Sequence, residues 1–302
     1  MSVPPELSFR PAELDDWPMV APIVAHTWEG GDYINEAVWQ QWVTAPEGRL
    51  IVAVQGGRVA GFCRLTRLGP AEWWLEGIRV DPALRGQGIG RALTAHMLEI
   101  FDREGDGILR LTTGSQNEAS QKIAREFGFR HTVSYTKVEA DAHPADYRNF
   151  KLLQPHNLEM AFQYLRFSPI YRVNHFVERD WVLYYLTQER LASYLADPQV
   201  QVIGWRQFDQ LHGMAILFLE PSKKRAESDS ELQVGYLDAP DDTTLLVMLE
   251  ALRGLAALRG HTKVVWKMPV GVGLDRTLGQ TGWRRAWEEG DELWLFELPL
   301  RR

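Results

Sequence analysis

Apolar positions recur along the first half of the chain with a period of two in short runs and a helical period between them. Leu7–Pro11 reads as a short strand, and Ala12–Trp28 as an amphipathic helix opening on the acidic pair Asp15 and Asp16. Tyr33–Thr44 is a second helical stretch. Arg49–Gln55 (RLIVAVQ) and Val59–Arg67 read as the arms of a hairpin turned at Gly56-Gly57. Glu72–Val80 (EWWLEGIRV) is a further strand, closed by Asp81-Pro82. Ile89, Leu93, Met97, Leu98 and Phe101 form one stripe of a helix over Gly88–Phe101. Leu109–Thr113 is a strand, Glu118–Phe127 a helix and Arg130–Val138 a last strand. Antiparallel strands followed by helix–strand units predict an α+β fold with a mixed sheet.

Periodicity lapses over Glu139–Tyr147 (EADAHPADY), a polar stretch that holds a proline and reads as a linker. It divides the chain into a first domain, 1–140, a linker, 141–148, and a second domain, 149–302. The second half repeats the order of elements. Phe150–Leu153 stands for the opening strand, and Asn157–Tyr164 and Thr187–Ala196 have helical patterns. Val200–Phe208 and Gly213–Leu219 form a hairpin around Gln210–His212. Glu231–Leu237 ends at Asp238 as Glu72–Val80 ends at Asp81. Thr244–Leu258 is a helix, Lys263–Lys267 a strand, and Leu274–Gly282 leads into Gly282-Trp283, which mirrors Gly128-Phe129. Asp81 lies 47 residues before Gly128, and Asp238 lies 44 before Gly282. One fold used twice is the expectation, carried by element order rather than by identity.

Composition narrows the classes. With 302 residues, 45% of them hydrophobic, and 12 Trp, the chain has ample material for packed cores, which excludes wholesale disorder. The single Cys63, in an apolar strand, excludes a disulfide scaffold and a Cys-based zinc site and suits a reducing, cytoplasmic compartment. The opening MSVPPELSFR lacks a basic-then-apolar leader pattern, and no 18-residue apolar run predicts a membrane span. The eight His show no pair at metal-ligand spacing, so no metal is expected. Thirty-three Lys and Arg against 40 Asp and Glu give a net charge of −7, which argues against a general nucleic-acid binder. Lys223-Lys224-Arg225, in the charged run Pro221–Ser230, reads as a solvated loop.

Chemistry is concentrated in Val80-Asp81-Pro82-Ala83-Leu84-Arg85-Gly86-Gln87-Gly88-Ile89-Gly90-Arg91. A strand ends, a turn follows, and glycines at 86, 88 and 90 lead into a helix. Glycines allow a tight turn and expose backbone N–H groups, and a helix N-terminus favours an anion. Arg85 and Arg91 add charge, so a phosphate or pyrophosphate is the natural ligand. A dinucleotide fingerprint needs glycine at 91, where this chain has Arg, and a P-loop needs Gly-Lys-Ser/Thr, which does not follow. What remains is Arg-x-x-Gly-x-Gly at Arg85, Gly88 and Gly90. In this the sequence resembles the GNAT (Gcn5-related N-acetyltransferase) family. Glu72–Phe101 is similar to that family's fourth strand, pyrophosphate loop and following helix, and Asn117 through Gly128-Phe129 (NEASQKIAREFGF) to its second cofactor motif.

The resemblance implies two tandem GNAT-like domains, with acetyl-CoA held in a V-shaped opening between the fourth and fifth strands. The backbone of Ile78, Arg79 and Val80 would meet the acetyl and pantetheine groups. Gly86, Gln87, Gly88, Ile89, Gly90 and Arg91, with Arg85, would cradle the pyrophosphate, and Asn117 and Ser120 would meet the pantetheine arm. Acetyl transfer to a primary amine by direct attack on the thioester then needs a base, because an amine of pKa ~10 is protonated near neutrality. Glu72 and Glu76, four apart on one strand and so on one face, are the candidates. The Ile78 N–H can stabilise the oxyanion. Where the family often carries a tyrosine acid, this chain has Ala124, so Tyr135, Tyr33 or water would take that role. Of Trp73 and Trp74, on opposite faces, one is expected in the core and one in the acceptor cleft.

In the second copy the corresponding run, Leu237-Asp238-Ala239-Pro240-Asp241-Asp242-Thr243-Thr244, has no glycine and three Asp, so it repels pyrophosphate while still capping a helix. This domain reads as degenerate, and Gly271-Val272-Gly273 as a loop. The expected partners are acetyl-CoA and an amine, small molecule or peptide, with the chain acting as a monomer or homodimer. The competing readings are a non-catalytic acyl-CoA-binding sensor or scaffold, and acylation of a hydroxyl or from a longer acyl donor.

Overall fold

The alternating runs of the first half become strands β1 (Ser8–Pro11), β2 (Gly48–Gln55), β3 (Arg58–Gly69), β4 (Glu72–Val80), β5 (Ile108–Gly114) and β6 (Arg130–Asp141). The helical runs become α1 (Trp17–Ala25), α2 (Glu36–Thr44), α3 (Ile89–Glu104) and α4 (Glu118–Glu126). The structure is a computed structural model that describes residues 7–27, 31–208, 210–219, 231–271 and 278–300. Trp28, Lys223–Arg225 and Val272-Gly273 lie outside the described residues. The expected single helix from Ala12 is instead a 3-10 turn, Leu14–Asp16, followed by α1. Pro18 at the first turn and the Asp16 carboxylate, which accepts from the Glu13 N–H at 2.8 Å, place the true helix start there.

The second half holds β7 (Phe150–Leu152), α5 (Leu158–Phe167), α6 (Pro169–Val173), β8 (Phe176–Arg179), β9 (Val182–Tyr185), α7 (Gln188–Ala196), β10 (Val200–Gln207), β11 (Gln210–Phe218), β12 (Glu231–Asp238), α8 (Asp242–Leu258), β13 (Lys263–Pro269), β14 (Arg284–Arg285) and β15 (Leu293–Pro299). It opens as the first half does. Gln154 and Asn157 form a reciprocal capping box over a 3-10 turn before α5, as Glu13 and Asp16 do before α1. Phe129 and Trp283 are both buried, 3% exposed each. The repeat of element order is therefore present in three dimensions. The β8–β9 hairpin is an addition that the alternation does not predict, because Phe176, Val177, Val182 and Leu183 are consecutive buried pairs rather than alternating ones.

The chain divides into two compact units. The first comprises residues 1–113, 117–132 and Leu295–Arg302, the second 114–116 and 133–294. This division differs from the reading of a linker at 141–148 in two places. Strand β6 runs on through Asp141, and in the second unit Glu139, Ala140 and Asp141 pair with Val265, Val264 and Lys263 of β13. From Leu295 on, the chain belongs to the first unit, where the Leu300 N–H donates to the Gly107 carbonyl at 2.9 Å.

In the first unit β1, β2, β3 and β4 are antiparallel neighbours and β5 lies parallel to β4. Trp39, Trp42, Val20, Ile23 and Phe62 pack the α1–α2 face. Leu93 of α3 approaches Gly61, and Phe101 meets Trp73 edge-on, on the other face. In the second unit the order is β6-β13-β12-β11-β10-β7, with β12 and β13 parallel. Leu245, Leu249 and Leu252 of α8 cover one face, and Leu165 and Leu191 of α5 and α7 the other.

Candidate active site

Strands β4 and β5 pair only through Glu72–Ile108, Trp73–Leu109 and Trp74–Arg110. Beyond Trp74 this ladder ends, while β4 stays paired with β3 as far as Val80. The result is the fork expected between the fourth and fifth strands. A bulge shapes the free arm. Cys63 on β3 is opposed by Gly77 and Ile78 together, and Gly77 holds φ +72°, a conformation that favours glycine. A Cβ there would come within 2.8 Å of the Trp42 ring. Beyond the bulge, Ile78 and Val80 point toward Gly90 and α3, while Glu76 and Arg79 both reach the α1–α2 side.

At the end of β4, Asp81 accepts from the Ala83 N–H and closes a 3-10 turn, Pro82–Leu84. Gly86 (φ +79°) and Gly88 (φ +82°) then reverse the chain, and Gly88 is the residue from which α3 starts. A Cβ at either would meet nothing within 4 Å. Their left-handed backbone opens onto vacant space at the N-terminus of a 16-residue helix, and this fits an anion cradle. Ile89 is 1% exposed and anchors the helix, leaving its backbone to the loop. Gln87 is exposed. The two arginines differ from the reading of free flanking charges. Arg91 pairs with Glu126 at 2.7 Å, and Arg85, itself exposed, donates to the His26 carbonyl at 3.3 Å. The cradle is mainly backbone.

Asn117 N-caps α4, its side-chain oxygen accepting from the Ser120 N–H at 3.1 Å. Ala124 is 1% exposed, so no side chain reaches out from that position of α4.

The two candidate bases share a face of β4 but not an environment. Glu72 is 5% exposed and lies at the paired end of β4, where Arg110 binds it at 3.1 Å and Glu297 at 2.6 Å. It stands six residues before Ile78 in an extended strand, about 20 Å away at ~3.3 Å per residue. Its carboxylate is part of a buried ion triad and away from the fork, which corrects its reading as a base. Glu76 adjoins the bulge. Its Oε1 accepts from Arg64 at 3.2 Å and from the Thr66 hydroxyl at 3.4 Å, and its side chain is 11% exposed. Burial, with the Glu76 charge next, pushes the Tyr33 phenol upward, so Tyr33 stays protonated beside it. Tyr135 is 1% exposed and its hydroxyl donates to Asn174 at 2.7 Å, a buried pairing that does not suit the acid role. Trp73 and Trp74 are both buried, Trp73 bonded to Asp106, so neither lines an open cleft. Burial pushes the Cys63 thiol upward, as befits a packed core thiol.

Sequence reasoning missed Arg64, Thr66 and Asp32, whose roles come from contacts distant in the chain. It also missed the Gly77 bulge, for which an isolated glycine in a strand pattern is a usable signal. In the second copy Asp241 caps α8 through the Thr244 N–H at 2.7 Å, as expected. Asp238 does not face a loop. It is 0% exposed and accepts from the hydroxyls of Tyr164, Ser168 and Tyr236 at 2.6–2.8 Å. Among the described residues no group of three or more His, Cys, Asp or Glu is placed to hold a metal, and no helix is long and apolar enough to cross a membrane.

A family model described as Acetyltransferase (GNAT) family matches residues 11–129. The N-alpha-acetyltransferase RimI of Mycobacterium tuberculosis is 31% identical over 113 residues, which is 36% of this chain and 70% of that protein. A GCN5-related N-acetyltransferase of Sphaerobacter thermophilus superposes with a TM-score of 0.66 at 14% identity, covering 100% of this chain and 98% of that one. A tandem GNAT protein from the clavulanic acid biosynthesis pathway gives a TM-score of 0.60 at 16% identity, covering 98% and 99%.

Proposed function

The chain belongs to the GNAT family of acetyltransferases, and we propose that its first unit moves an acetyl group from acetyl-CoA to a primary amine, with the second unit a degenerate copy that binds no acetyl-CoA. The observation that carries this is the left-handed Gly86–Gly88 cradle at the start of α3, beside the arm of β4 that leaves β5 after Trp74. Backbone amides of residues 86–91 hold the pyrophosphate, and the backbone of Ile78 and Val80 orients the thioester and pantetheine arm. Asn117 and Ser120 meet that arm from α4.

Glu76 is the base in this reading. Arg64 and Thr66 hold its carboxylate next to the bulge that presents Ile78. It takes a proton from the ammonium form of the acceptor, directly or through water. The neutral amine attacks the thioester carbonyl, the Ile78 N–H faces the oxygen on which charge builds, and the carbon–sulfur bond breaks to release CoA thiolate. With Ala124 buried, the proton that the attacking nitrogen still carries passes through water to the leaving thiolate; Tyr33, whose phenol burial pushes upward, is too weak an acid for that step. The similarity to an N-alpha-acetyltransferase makes a free α-amino group the first acceptor to try.

The test is CoA release from acetyl-CoA with a panel of α-amino peptides, lysine peptides, polyamines and aminoglycosides. Glu76→Gln is expected to lower kcat roughly 10²-fold or more without changing the KM for acetyl-CoA, the usual worth of a general base. Glu72→Gln is expected to retain turnover in the folded fraction. Full activity in Glu76→Gln overturns the base. Tight acetyl-CoA binding with no transfer to any amine would replace catalysis with a binding role.

A further inference from the structure

The α1–α2 side of β4 carries one polar contact that the acetyl-transfer chemistry does not use. Asp32, between α1 and α2, has a fully buried side chain that holds Arg79 through two bonds, Nε to Oδ2 at 2.6 Å and Nη2 to Oδ1 at 3.0 Å. The third nitrogen of the same guanidinium, Nη1, donates to the Ile78 carbonyl at 3.1 Å. The guanidinium also lies over the Tyr33 ring, 5.7 Å from its centroid. Asp32 accepts from the Ile34 N–H at 3.2 Å, and Ile34, 1% exposed, packs near Gly77 and Trp42. Asp32 and Tyr33 thus both meet Arg79 of the arm of β4, and Ile34 lies beside its Gly77.

A buried carboxylate and guanidinium cost several kcal/mol each to desolvate, so a hydrophobic pair would hold two elements together at least as well. What this pair supplies instead is direction. A planar bidentate contact fixes the angle between the loop and the strand, and the third nitrogen bonds the carbonyl at the fork. The Gly77 bulge is what turns Arg79 to this side at all.

We propose that Asp32–Arg79 is a positioning clamp that holds residues 31–35 as the acceptor-side wall of the fork and sets the apparent affinity for the amine. This rests on the acetyl-transfer reading, and it assigns specificity to a loop whose residues carry no recognisable motif. The clamp acts on the amine through the loop; neither side chain touches the reacting atoms.

The full chain is compared with Asp32→Asn and with the double variant Asp32→Asn/Arg79→Gln. The single variant leaves a buried guanidinium without its counter-charge and melts lower. The double variant removes both charges and recovers the melting temperature. A merely structural ion pair predicts that kinetics recover with it. The clamp predicts that they do not. With a peptide bearing a free α-amine, the KM for peptide stays at least tenfold raised in both variants, while the KM for acetyl-CoA stays within twofold of the parent in Asp32→Asn, which keeps the Arg79 bond to the Ile78 carbonyl. Hydrogen exchange of the amides of residues 31–38 is at least tenfold faster in both, with α3 unchanged. Recovery of the peptide KM and of exchange in the double variant overturns the clamp. If the parent chain transfers acetyl to no amine, the function has failed, and the exchange arm alone still decides whether the pair fastens the loop.

Discussion

Two glycine substitutions separate the fork from the cradle. At Gly77 the backbone sits at φ +72°, and a Cβ would lie 2.8 Å and 2.9 Å from two carbons of the Trp42 ring. Trp42 cannot swing away, because it is 6% exposed and Arg64 covers its ring at 5.2 Å. Forcing an L-residue into the left-handed region costs about 1–2 kcal/mol, and overpacking a core adds about 1–3 kcal/mol. Gly77→Ala is therefore expected to lose about 2–5 kcal/mol, a fall in Tm of roughly 4–20 °C at about 2–4 °C per kcal/mol. Gly88 has φ +82° but open space around its Cβ position, so Gly88→Ala bears only the first cost, about 1–2 kcal/mol. That open space is where the anion sits in the proposed complex, and a methyl group in it is expected to weaken acetyl-CoA at least tenfold, about 1.4 kcal/mol. Thermal melts rank the two variants in stability and calorimetry with acetyl-CoA ranks them in affinity. The orders should be opposite. A Gly88→Ala protein that melts as low as Gly77→Ala, or that binds acetyl-CoA with unchanged affinity, refutes the division of roles.

The buried triad and the second unit give two further expectations. Arg110→Met strands Glu72 and Glu297 without their shared cation, and denaturant unfolding should show a loss of about 3–5 kcal/mol with acetyl-CoA affinity unchanged; a loss below about 1 kcal/mol would remove the triad from the account. Burial raises the Asp238 carboxyl above its ordinary value, although Ser168, Tyr236 and Tyr164 pull the other way. The folded chain then holds this proton more tightly than the unfolded one, so the contribution is complete below a pH of about 4 and is lost as pH rises through the folded value. Denaturant midpoints from pH 3 to 7 should show the stability of the parent relative to Asp238→Asn falling with pH, and a flat difference would show that Asp238 does not titrate in this way.

Much of the fold was legible because it rests on local signals. The hairpin at Gly56-Gly57, the strand Glu72–Val80 and the start of α3 after Gly88 follow from glycine placement and periodicity within a few residues. The glycine turn before α3 was legible for the same reason, since its geometry is set by backbone between Asp81 and Arg91. The side-chain roles were not. Glu72 and Glu76 look equivalent along the chain, and only the partners that tertiary structure brings, Arg110 for one and Arg64 for the other, tell them apart. Tyr135 looked available as an acid because β6 follows α4 in sequence, yet its hydroxyl is buried against Asn174. Asp238 was counted as a loop charge, and three hydroxyls from 2 to 74 residues away bury it. Polar pairing between distant positions has no period to read.

The assignment of the last strand to the first unit has a consequence for how the protein is made. Domains tend to fold as units while the ribosome is still adding residues. Here the unit that carries the proposed catalytic fork includes residues from Leu295 on, and Glu297 completes the Arg110 triad. Those residues are synthesised only after the second unit. The nascent amino-terminal half therefore waits, with a sheet edge and a buried-to-be arginine unmet, through synthesis of the whole second half. The first unit is finished by residues made after the second: a chain stopped short of Leu295 would hold every residue of the second unit and still leave the proposed catalytic fork beside an unfinished sheet and an Arg110 without Glu297.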